Sequence, residues 1–442
     1  MADNLEEVHE ELLAWADSVG VKVNSIRPMR ISGRGFGIVA TKDIPKDTVI
    51  LHVPVTALRT KDTVPPTITK SLPKDITIHG LLAADLALNK PSNSTKYAKW
   101  QAVVPSREDI LQSMPLTWPP NLQALLPTAA KRMLDKQRAK FEKDWAHVSA
   151  AFPTIQGKVD AKTKDGSSSK DSSSGSSSGA GVTIQAECTR DEYLYAWLLV
   201  NTRTFYFVTP RTERLPKEDH MVLQPVADLF NHTDRGGCDV AFDHAEAFTF
   251  TTTRAYSRGE EVHISYGRHS DDFLLVEYGF VLEAGRNEWD EVCLDEAVLP
   301  ALSGTQSGEL EDVGFLGNYV LDRDTVCHRT QVALRILAVS GRYGGLTMGA
   351  WRRFVSGLDD GEGSQVKADS LLVGLLEEYD DDVVGAKVKE LKKLNFGDDG
   401  DGGDDDDEDL NESRRGLLLA RWGQIRELVR ATVERLRGGG DA

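Results

Sequence analysis

The stretch Gln224-Pro225-Val226-Ala227-Asp228-Leu229-Phe230-Asn231-His232-Thr233 decides how the rest of this 442-residue chain is interpreted. Its polar residues Asp228, Asn231 and His232 interrupt an apolar run, and polar groups in such surroundings normally have assigned hydrogen-bond partners. On these residues alone, a satisfied core network and a binding site are equally compatible with the pattern. A zinc site would need further ligands at close spacing, and none accompanies His232, so we predict no metal site.

Two segments downstream carry tyrosines in apolar surroundings. Gly259-Glu260-Glu261-Val262-His263-Ile264-Ser265-Tyr266-Gly267 is followed by Leu274-Leu275-Val276-Glu277-Tyr278-Gly279-Phe280. The pattern predicts short strands at Phe248–Thr252 and Glu261–Tyr266. A single tyrosine in an apolar run is usually a core residue, so only the combination of Tyr266 with Tyr278 and the first stretch indicates a site.

A glycine-rich segment lies far upstream, at Gly33-Arg34-Gly35-Phe36-Gly37. The β-branched Ile38-Val39-Ala40 follows it, which predicts a strand, a turn at Pro45-Lys46-Asp47 and a second strand at Thr48–Pro54. A dinucleotide-binding loop should open a helix, so a nucleotide-dependent oxidoreductase is a distant alternative. The glycines leave the backbone open to close approach, and a structural turn and a ligand loop both remain compatible with them.

The pattern along the chain predicts four parts. Residues 1–75 hold an N-terminal helix at Leu5–Val19 and the first strands, and residues 76–200 form a helical insert with a Ser/Gly-rich loop at about 160–182. Residues 201–285 form the second β-region. Residues 286–442 are predicted to be helical, because the last segment repeats apolar residues at spacings of three and four, with an acidic loop at 398–409.

Composition narrows the classes of function. The net charge is −17, of which the eight Asp and one Glu of Asp398–Asp409 supply nine, leaving −8 elsewhere. This balance argues against binding nucleic acid and suits a basic protein segment as partner. No apolar run is long enough to span a membrane, the N-terminus is acidic, and the four cysteines form no C-x-x-C pair. We therefore expect a reduced protein of the cytoplasm or nucleus.

The order of five motifs resembles that of the SET-domain methyltransferases, in the branch of the plant Rubisco lysine methyltransferases and their fungal and animal relatives. These motifs are Gly35-Phe36-Gly37-Ile38-Val39-Ala40, Thr202-Arg203-Thr204-Phe205, Asp228-x-x-Asn231-His232, Gly259-Glu260-Glu261 with Ser265-Tyr266-Gly267, and Tyr278-Gly279-Phe280. The resemblance implies an α+β fold, in which a SET β-fold carries a helical insert and a C-terminal all-α domain of the substrate-binding type.

The resemblance also implies roles for individual residues. S-adenosylmethionine would be the cofactor, and the residues implied to bind it are Arg34, Gly35, Phe36, Arg203, Asn231 and His232. Phe205, Asp228 and Tyr266 would shape the substrate side, and Tyr278 would be the catalytic tyrosine.

The implied function is that of a protein-lysine N-methyltransferase. The cysteine-rich zinc segment of histone-modifying members is missing, so we expect a non-histone substrate, with ribosomal and translation-related proteins among the candidates. Phe205 in Thr-Arg-Thr-Phe resembles the lysine-modifying members. Histidine methylation by the same fold and a catalytically silent scaffold remain the alternatives. We expect a monomer whose partner is the protein substrate, with no nucleic acid or membrane involved.

Overall fold

The computed structural model describes residues 2–31, 35–89, 96–153, 188–243, 246–339, 345–394 and 405–438. The strands are β1 Lys22–Val23, β2 Ile26–Ile31, β3 Gly35–Ala40, β4 Val49–Pro54, β5 Thr204–Tyr206, β6 Met221–Leu223, β7 Asp239–Asp243, β8 Ala247–Thr251, β9 Glu261–Val262, β10 Glu291–Cys293 and β11 Val320–Asp322. The helices are α1 Ala2–Ser18, α2 Pro66–Thr69, α3 Ile78–Leu88, α4 Ala98–Gln101, α5 Arg107–Ser113, α6 Pro120–Gln123, α7 Thr128–Ala151, α8 Arg190–Arg203, α9 Asp271–Tyr278, α10 Asp295–Val298, α11 Gly304–Asp312, α12 His328–Leu337, α13 Met348–Val355, α14 Glu362–Glu378, α15 Gly385–Lys393 and α16 Asp405–Arg437.

The chain divides into two compact units. Unit one comprises Met1–Ala57, Val103–Ala139 and Pro225–Ala442, and unit two comprises Leu58–Ala102 and Lys140–Gln224. The four-part division expected from the sequence stays a prediction, because these units follow spatial contacts rather than chain order.

The sheets of unit one are small and antiparallel. One has the strand order β1-β4-β8-β7, a second has the order β2-β3-β9, and β10 pairs with β11. The strands expected on either side of Pro45-Lys46-Asp47 form as β3 and β4, but they lie in different sheets. The reason is that the connection between them pairs elsewhere, with Ile44 N donating to Tyr256 O at 2.8 Å and Asp47 N to Thr252 O at 2.8 Å.

The helices of the C-terminal region close around an apolar core. On α16, the predicted spacing of three and four places Leu418, Trp422, Ile425, Val429 and Val433 in this core, as expected for an amphipathic helix. The region also contains the short pair β10 and β11, which contributes Val292 and Leu321 to the same core. The acidic loop predicted at 398–409 lies outside the described residues up to position 404, and from Asp405 the chain is helical.

Unit two is built on α3 and α8. Helix α8 begins at Arg190, and a capping box explains its start, because the Thr189 hydroxyl accepts from Glu192 N while the Glu192 carboxylate accepts from Thr189 N. Trp197 on α8 stacks on the His79 ring of α3, with ring centroids 4.0 Å apart. The Ser/Gly-rich loop expected at 160–182 lies outside the described residues.

Candidate active site

The segment Gln224–Thr233 bends at Val226, whose φ is +74°. A β-branched residue rarely adopts this conformation, and such strain is typical of positions that the surrounding structure must hold. A 3-10 turn over Ala227–Leu229 follows. The chain then pairs with Ile264, whose N–H donates to Asn231 O at 3.1 Å while its carbonyl accepts from Thr233 N at 2.9 Å. The turn thus delivers the side chains of Asn231 and His232 beside the end of β9.

Asn231 joins the upstream glycine segment to the third motif. Its side-chain Nδ2 donates to Phe36 O at 3.2 Å and to Glu261 Oε1 at 2.8 Å. One amide thereby connects β3, β9 and the turn after Val226. Residues separated by 195 positions meet here. We name this contact the Asn231 junction, formed by Phe36, Asn231 and Glu261.

Gly37 makes the Asn231 junction possible. A Cβ at this position would lie 2.5 Å from Ile31 Cδ1, 2.7 Å from Glu261 Oε1 and 2.9 Å from Asn231 Nδ2. Real side chains do not approach this closely, so only glycine fits without movement of its neighbours. From Gly35 onward, the glycine-rich segment is a strand paired with β2, so this part offers no helix N-terminus to a dinucleotide.

Four rings form a cluster beside the Asn231 junction, which we call the aromatic cluster. The ring centroids lie 5.1 Å apart for His232 and Tyr266, 4.8 Å for Tyr266 and Tyr278, and 6.3 Å for Tyr278 and Phe280. These separations are in the range of favourable aromatic contacts. The three downstream motifs that looked individually like core residues therefore converge on one place.

His232 is the link between the junction and the aromatic cluster. It is buried, and its Nδ1 accepts a hydrogen bond from Tyr266 N at 3.0 Å. Burial, together with the charge of nearby His269, lowers the pKa of His232 to about 4. The ring is therefore neutral at physiological pH. Because Nδ1 accepts, its proton lies on Nε2.

Tyr266 and Tyr278 bring the hydroxyl groups of the cluster. Tyr266 Oη donates to Phe230 O at 2.6 Å. Burial raises the pKa of Tyr278 to about 12, and the charge of Glu277 contributes to the same rise. Tyr278 therefore keeps its proton at neutral pH.

Tyr278 is the last residue of α9, and Gly279 ends the helix with φ +79°. The Gly279 N–H turns back to Leu275 O at 3.1 Å, as in a left-handed helix cap. A Cβ on Gly279 would lie 2.9 Å from the carbonyl oxygen of Ser113, at the end of α5. The close approach of two backbones thus fixes the chain next to Tyr278.

The other end of α9 is held by charge. Arg421 on α16 is fully buried, and its Nε donates to Asp272 Oδ1 at 2.7 Å while its Nη1 donates to Asp290 Oδ2 at 2.7 Å. Burial alone would lower the pKa of Arg421, but the two carboxylates raise it above its usual range. The guanidinium therefore stays charged and ties the start of α9 to the C-terminal helix.

The remaining residues named from the sequence fall in other places. Gly35 and Phe36 lie on β3, and Asp228 is buried in the turn before Asn231. Arg34 lies outside the described residues. Arg203 and Phe205 belong to unit two, where they end α8 and occupy β5.

Three residues that support the site escaped the sequence reasoning. Glu261 lies inside one of the motifs quoted above. Its position at the start of a predicted strand is the feature of the sequence that could have indicated its role. Gln137 on α7 and Arg421 on α16 lie in charged helices, where neither differs from an ordinary surface residue. Their contacts with α9 arise from tertiary packing, so no local pattern reveals them.

The described residues contain no group of three or more His, Cys, Asp or Glu placed to hold a metal ion. Among the helices described, none is both long enough and apolar enough to cross a membrane.

The chain is similar in sequence to several known proteins. The protein "SET domain-containing protein 4" of Mus musculus is 28% identical over 344 residues, which are 74% of this chain and 72% of that protein. "Ribosomal lysine N-methyltransferase set11" of Schizosaccharomyces pombe is 28% identical over 191 residues, 42% of this chain and 48% of that protein. "Actin-histidine N-methyltransferase" of Danio rerio is 23% identical over 287 residues, 63% of this chain and 43% of that protein.

A solved structure shows the same fold. The structure described as "Crystal structure of the SET domain of LSMT bound to Lysine and AdoHcy" superimposes with a TM-score of 0.59 at 15% identity, covering 97% of this chain and 91% of that one. The predicted fold class, a SET β-fold with a helical insert and a helical C-terminal region, is confirmed. The sequence profile of the SET domain matches residues 35–267, more than half of the chain. The protein belongs to the SET domain family, as the order of its motifs predicts.

Proposed function

We propose that this chain is a protein-lysine N-methyltransferase that uses S-adenosylmethionine and acts on a protein other than a histone. The observation that carries the proposal is the aromatic cluster of His232, Tyr266, Tyr278 and Phe280, all neutral at physiological pH, beside the Asn231 junction. Methyl transfer to an amine requires an aligned nucleophile and the exclusion of water. Packed neutral rings with hydroxyl groups have the chemistry for both tasks.

The residues at the Asn231 junction fit S-adenosylmethionine by their donors and acceptors. A Cβ at Gly35, where φ is +74°, would meet nothing within 4 Å, so the main chain is open to a ligand at this point. When bound, the cofactor supplies an electrophilic methyl group. We assign its binding to the described residues Gly35, Phe36, Asn231 and His232 and, on the resemblance alone, to Arg34 and Arg203.

The substrate amine must be neutral to react. An ordinary lysine has a pKa near 10.4, so deprotonation at neutral pH costs about 4–5 kcal/mol. Poorly hydrated surroundings lower this cost because they disfavour the ammonium form. We assign the walls of the substrate site to Tyr266 and Tyr278, with Asp228 and, on the resemblance alone, Phe205 on the substrate side. The bond that Tyr266 Oη donates to Phe230 O fixes the direction of its hydroxyl group.

Lysine is the favoured target among the residues that relatives modify. The name of the Schizosaccharomyces pombe relative refers to a ribosomal lysine, which supports a ribosomal or translation-related substrate and a cytoplasmic location. The Danio rerio relative, named for actin histidine, supports histidine methylation as the second candidate. The net charge of −17 favours a basic segment around the modified residue.

Calorimetry with S-adenosylmethionine tests the cofactor assignment. We expect binding by the intact chain and a loss of at least about tenfold in affinity for Asn231→Ala, which removes the donor to Phe36 and Glu261. Asn24→Ala is a matched control, because Asn24 also donates its amide to a main-chain carbonyl, Val49 O at 3.2 Å, at an exposed position. An intact chain that binds no cofactor would support a silent scaffold instead.

Fragment-ion mass spectrometry decides between lysine and histidine. Cell extract depleted of this protein is incubated with the chain and a deuterated methyl donor, and the labelled residue is located in the peptides. The proposal predicts the label on a lysine Nζ. Label on imidazole nitrogen alone would establish the histidine alternative.

A further inference from the structure

The end of α9 leaves the carbonyl of Val276 without its usual donor. In a continuing helix, the N–H of Phe280 would bond to Val276 O, four residues earlier. Here the chain reverses at Gly279, and the Phe280 N–H points to Leu274 O at 3.5 Å. The carbonyl of Val276 therefore needs a partner from outside α9.

Gln137 on α7 supplies that partner. Its side-chain Nε2 donates to Val276 O at 3.1 Å and to Glu277 Oε2 at 3.0 Å. Gln137 is 4% exposed, so its bond to Val276 O is buried, and its bond to the partly exposed Glu277 is partly buried. The amide thus donates one hydrogen bond to each of Val276 and Glu277, the two residues that precede Tyr278.

The orientation of the Gln137 amide follows from these two acceptors. A reversed amide would turn its oxygen towards a carbonyl and a carboxylate, which repel it. In the observed orientation Oε1 is buried and has no hydrogen-bond partner among the described residues. The Gln137 side chain therefore donates hydrogen bonds to the end of α9, while its own oxygen stays without a partner among the described residues.

Glu277 connects Gln137 to the electrostatics of the site. Its negative charge contributes to the raised pKa of Tyr278 and acts on the neighbouring His269. The bond from Gln137 Nε2 fixes where this carboxylate lies. A change at Gln137 therefore alters both the position of Tyr278 and the charge beside it.

We propose that Gln137 is a positioning residue for methyl transfer, holding the last turn of α9 so that the Tyr278 hydroxyl stays at the transfer site. The proposal rests on the function proposed above. Gln137 lies on a different helix from every residue of the Asn231 junction and the aromatic cluster, so its effect is on the rate of transfer and not on the binding of the cofactor.

The first test separates rate from binding. Gln137→Met keeps the length of the side chain and removes its donors. We expect the single-turnover rate of methyl transfer to fall on the order of tenfold, while the Kd for S-adenosylmethionine changes by less than about twofold.

Gln306→Met is the matched control. Gln306 is 7% exposed and donates its Nε2 to Ile336 O at 2.8 Å, near the end of α12. The variant therefore loses the same kind of bond away from the site, together with the bond that Gln306 Oε1 accepts from Ser303 N at 2.9 Å at the start of α11. We expect lower stability and an unchanged rate from it. Equal loss of rate in the two variants would overturn the proposal.

The second test asks whether Gln137 acts through Tyr278. In a Tyr278→Phe background, Gln137→Met should reduce the residual rate by less than about twofold, because effects that act through one group do not add. A full tenfold loss in that background would show that Gln137 acts by another route.

Hydrogen exchange gives a measurement that needs no activity. The amides of Gly279 and Phe280 should exchange faster in Gln137→Met than in the unchanged chain, and Gln306→Met should leave them unchanged. Unchanged exchange in Gln137→Met would overturn the proposal, whether or not the chain transfers methyl. Absence of methyl transfer by the unchanged chain would count against the proposed function alone.

Discussion

The two ends of α9 are held in opposite ways. At the first end, the charged side chains Asp272, Asp290 and Arg421 form a fully buried network with α16. At the second end, a neutral amide from Gln137 and the glycine cap bring Tyr278 into the aromatic cluster. The comparison teaches that buried ion pairs attach the start of α9 to the core, whereas a neutral amide holds its end, where the carboxylate of Glu277 lies beside Tyr278. Poorly hydrated surroundings at the second end disfavour the ammonium form of the substrate and so favour the neutral amine.

Breaking the charged end should have the largest effect on stability. Arg421→Met leaves Asp272 and Asp290 buried without their cation, which we expect to cost about 3–5 kcal/mol in the free energy of unfolding. Urea denaturation followed by circular dichroism measures this loss. Arg426→Met is the control on the same helix, because Arg426 pairs with Asp380 at a partly exposed position and should cost about 1 kcal/mol or less. Equal losses would contradict the distinction between buried and exposed pairs.

The free energy of unfolding should depend on pH through His232, which lies in the aromatic cluster near the second end of α9. The pKa of His232 is about 4 in the folded chain and about 6.5 when unfolded, so between these values only the unfolded state binds the proton. Stability should therefore decrease as the pH falls, by about 2 kcal/mol from pH 7 to pH 5.

The variant His232→Gln isolates this contribution. Other groups titrate in the same range, and burial together with the charge of Asp290 raises the pKa of Asp271 to about 6, which acts in the opposite direction. The difference between the unchanged chain and His232→Gln should shrink by about 2 kcal/mol between pH 7 and pH 5. A constant difference would mean that His232 is not held neutral.

The smallest expected effect on stability is at the Asn231 junction. Gly37→Ala places a Cβ against the ends of the Ile31, Glu261 and Asn231 side chains, which can shift, so we expect a cost of about 1 kcal/mol. Because Asn231 is displaced, affinity for S-adenosylmethionine should still fall by about tenfold. Calorimetry and thermal unfolding measure the two effects.

Gly304→Ala is the control, because a Cβ at Gly304 would meet nothing within 4 Å and its φ is not positive. Gly259→Ala is a poor control because the φ of Gly259 is +85°. Unaltered affinity for S-adenosylmethionine in Gly37→Ala would show that the Asn231 junction is not part of the cofactor site.

The sequence predicted those parts of the molecule that local chemistry determines. The start of α8 follows from the Thr189 and Glu192 capping box, and the buried face of α16 follows from its apolar spacing. The family followed from the order of motifs, which tertiary structure brings together, and the roles of the individual site residues stay predictions. The strand expected at Glu261–Tyr266 is only partly formed. Its regular pairing ends at Val262, because Ile264 instead forms isolated parallel bridges with His232 and Cys238.

The supports of α9 were not predictable in the same way. Gln137 and Arg421 act through contacts across 139 and 149 residues, and each has the same local surroundings in sequence as a solvent-facing helix residue. Their roles depend on which helices pack together. Only the three-dimensional structure therefore distinguishes them from the many other Gln and Arg residues of the chain.

Methyl transfer by the unchanged chain and by Tyr278→Phe tests the account most directly. Both proteins are incubated with labelled S-adenosylmethionine and a cell extract that lacks the endogenous protein, after calorimetry has established that both bind the cofactor. The account predicts label on a protein lysine with the unchanged chain, and a rate at least about a hundredfold lower with Tyr278→Phe at similar cofactor affinity. Equal rates for the two proteins would contradict it, and so would label on no protein at all despite cofactor binding.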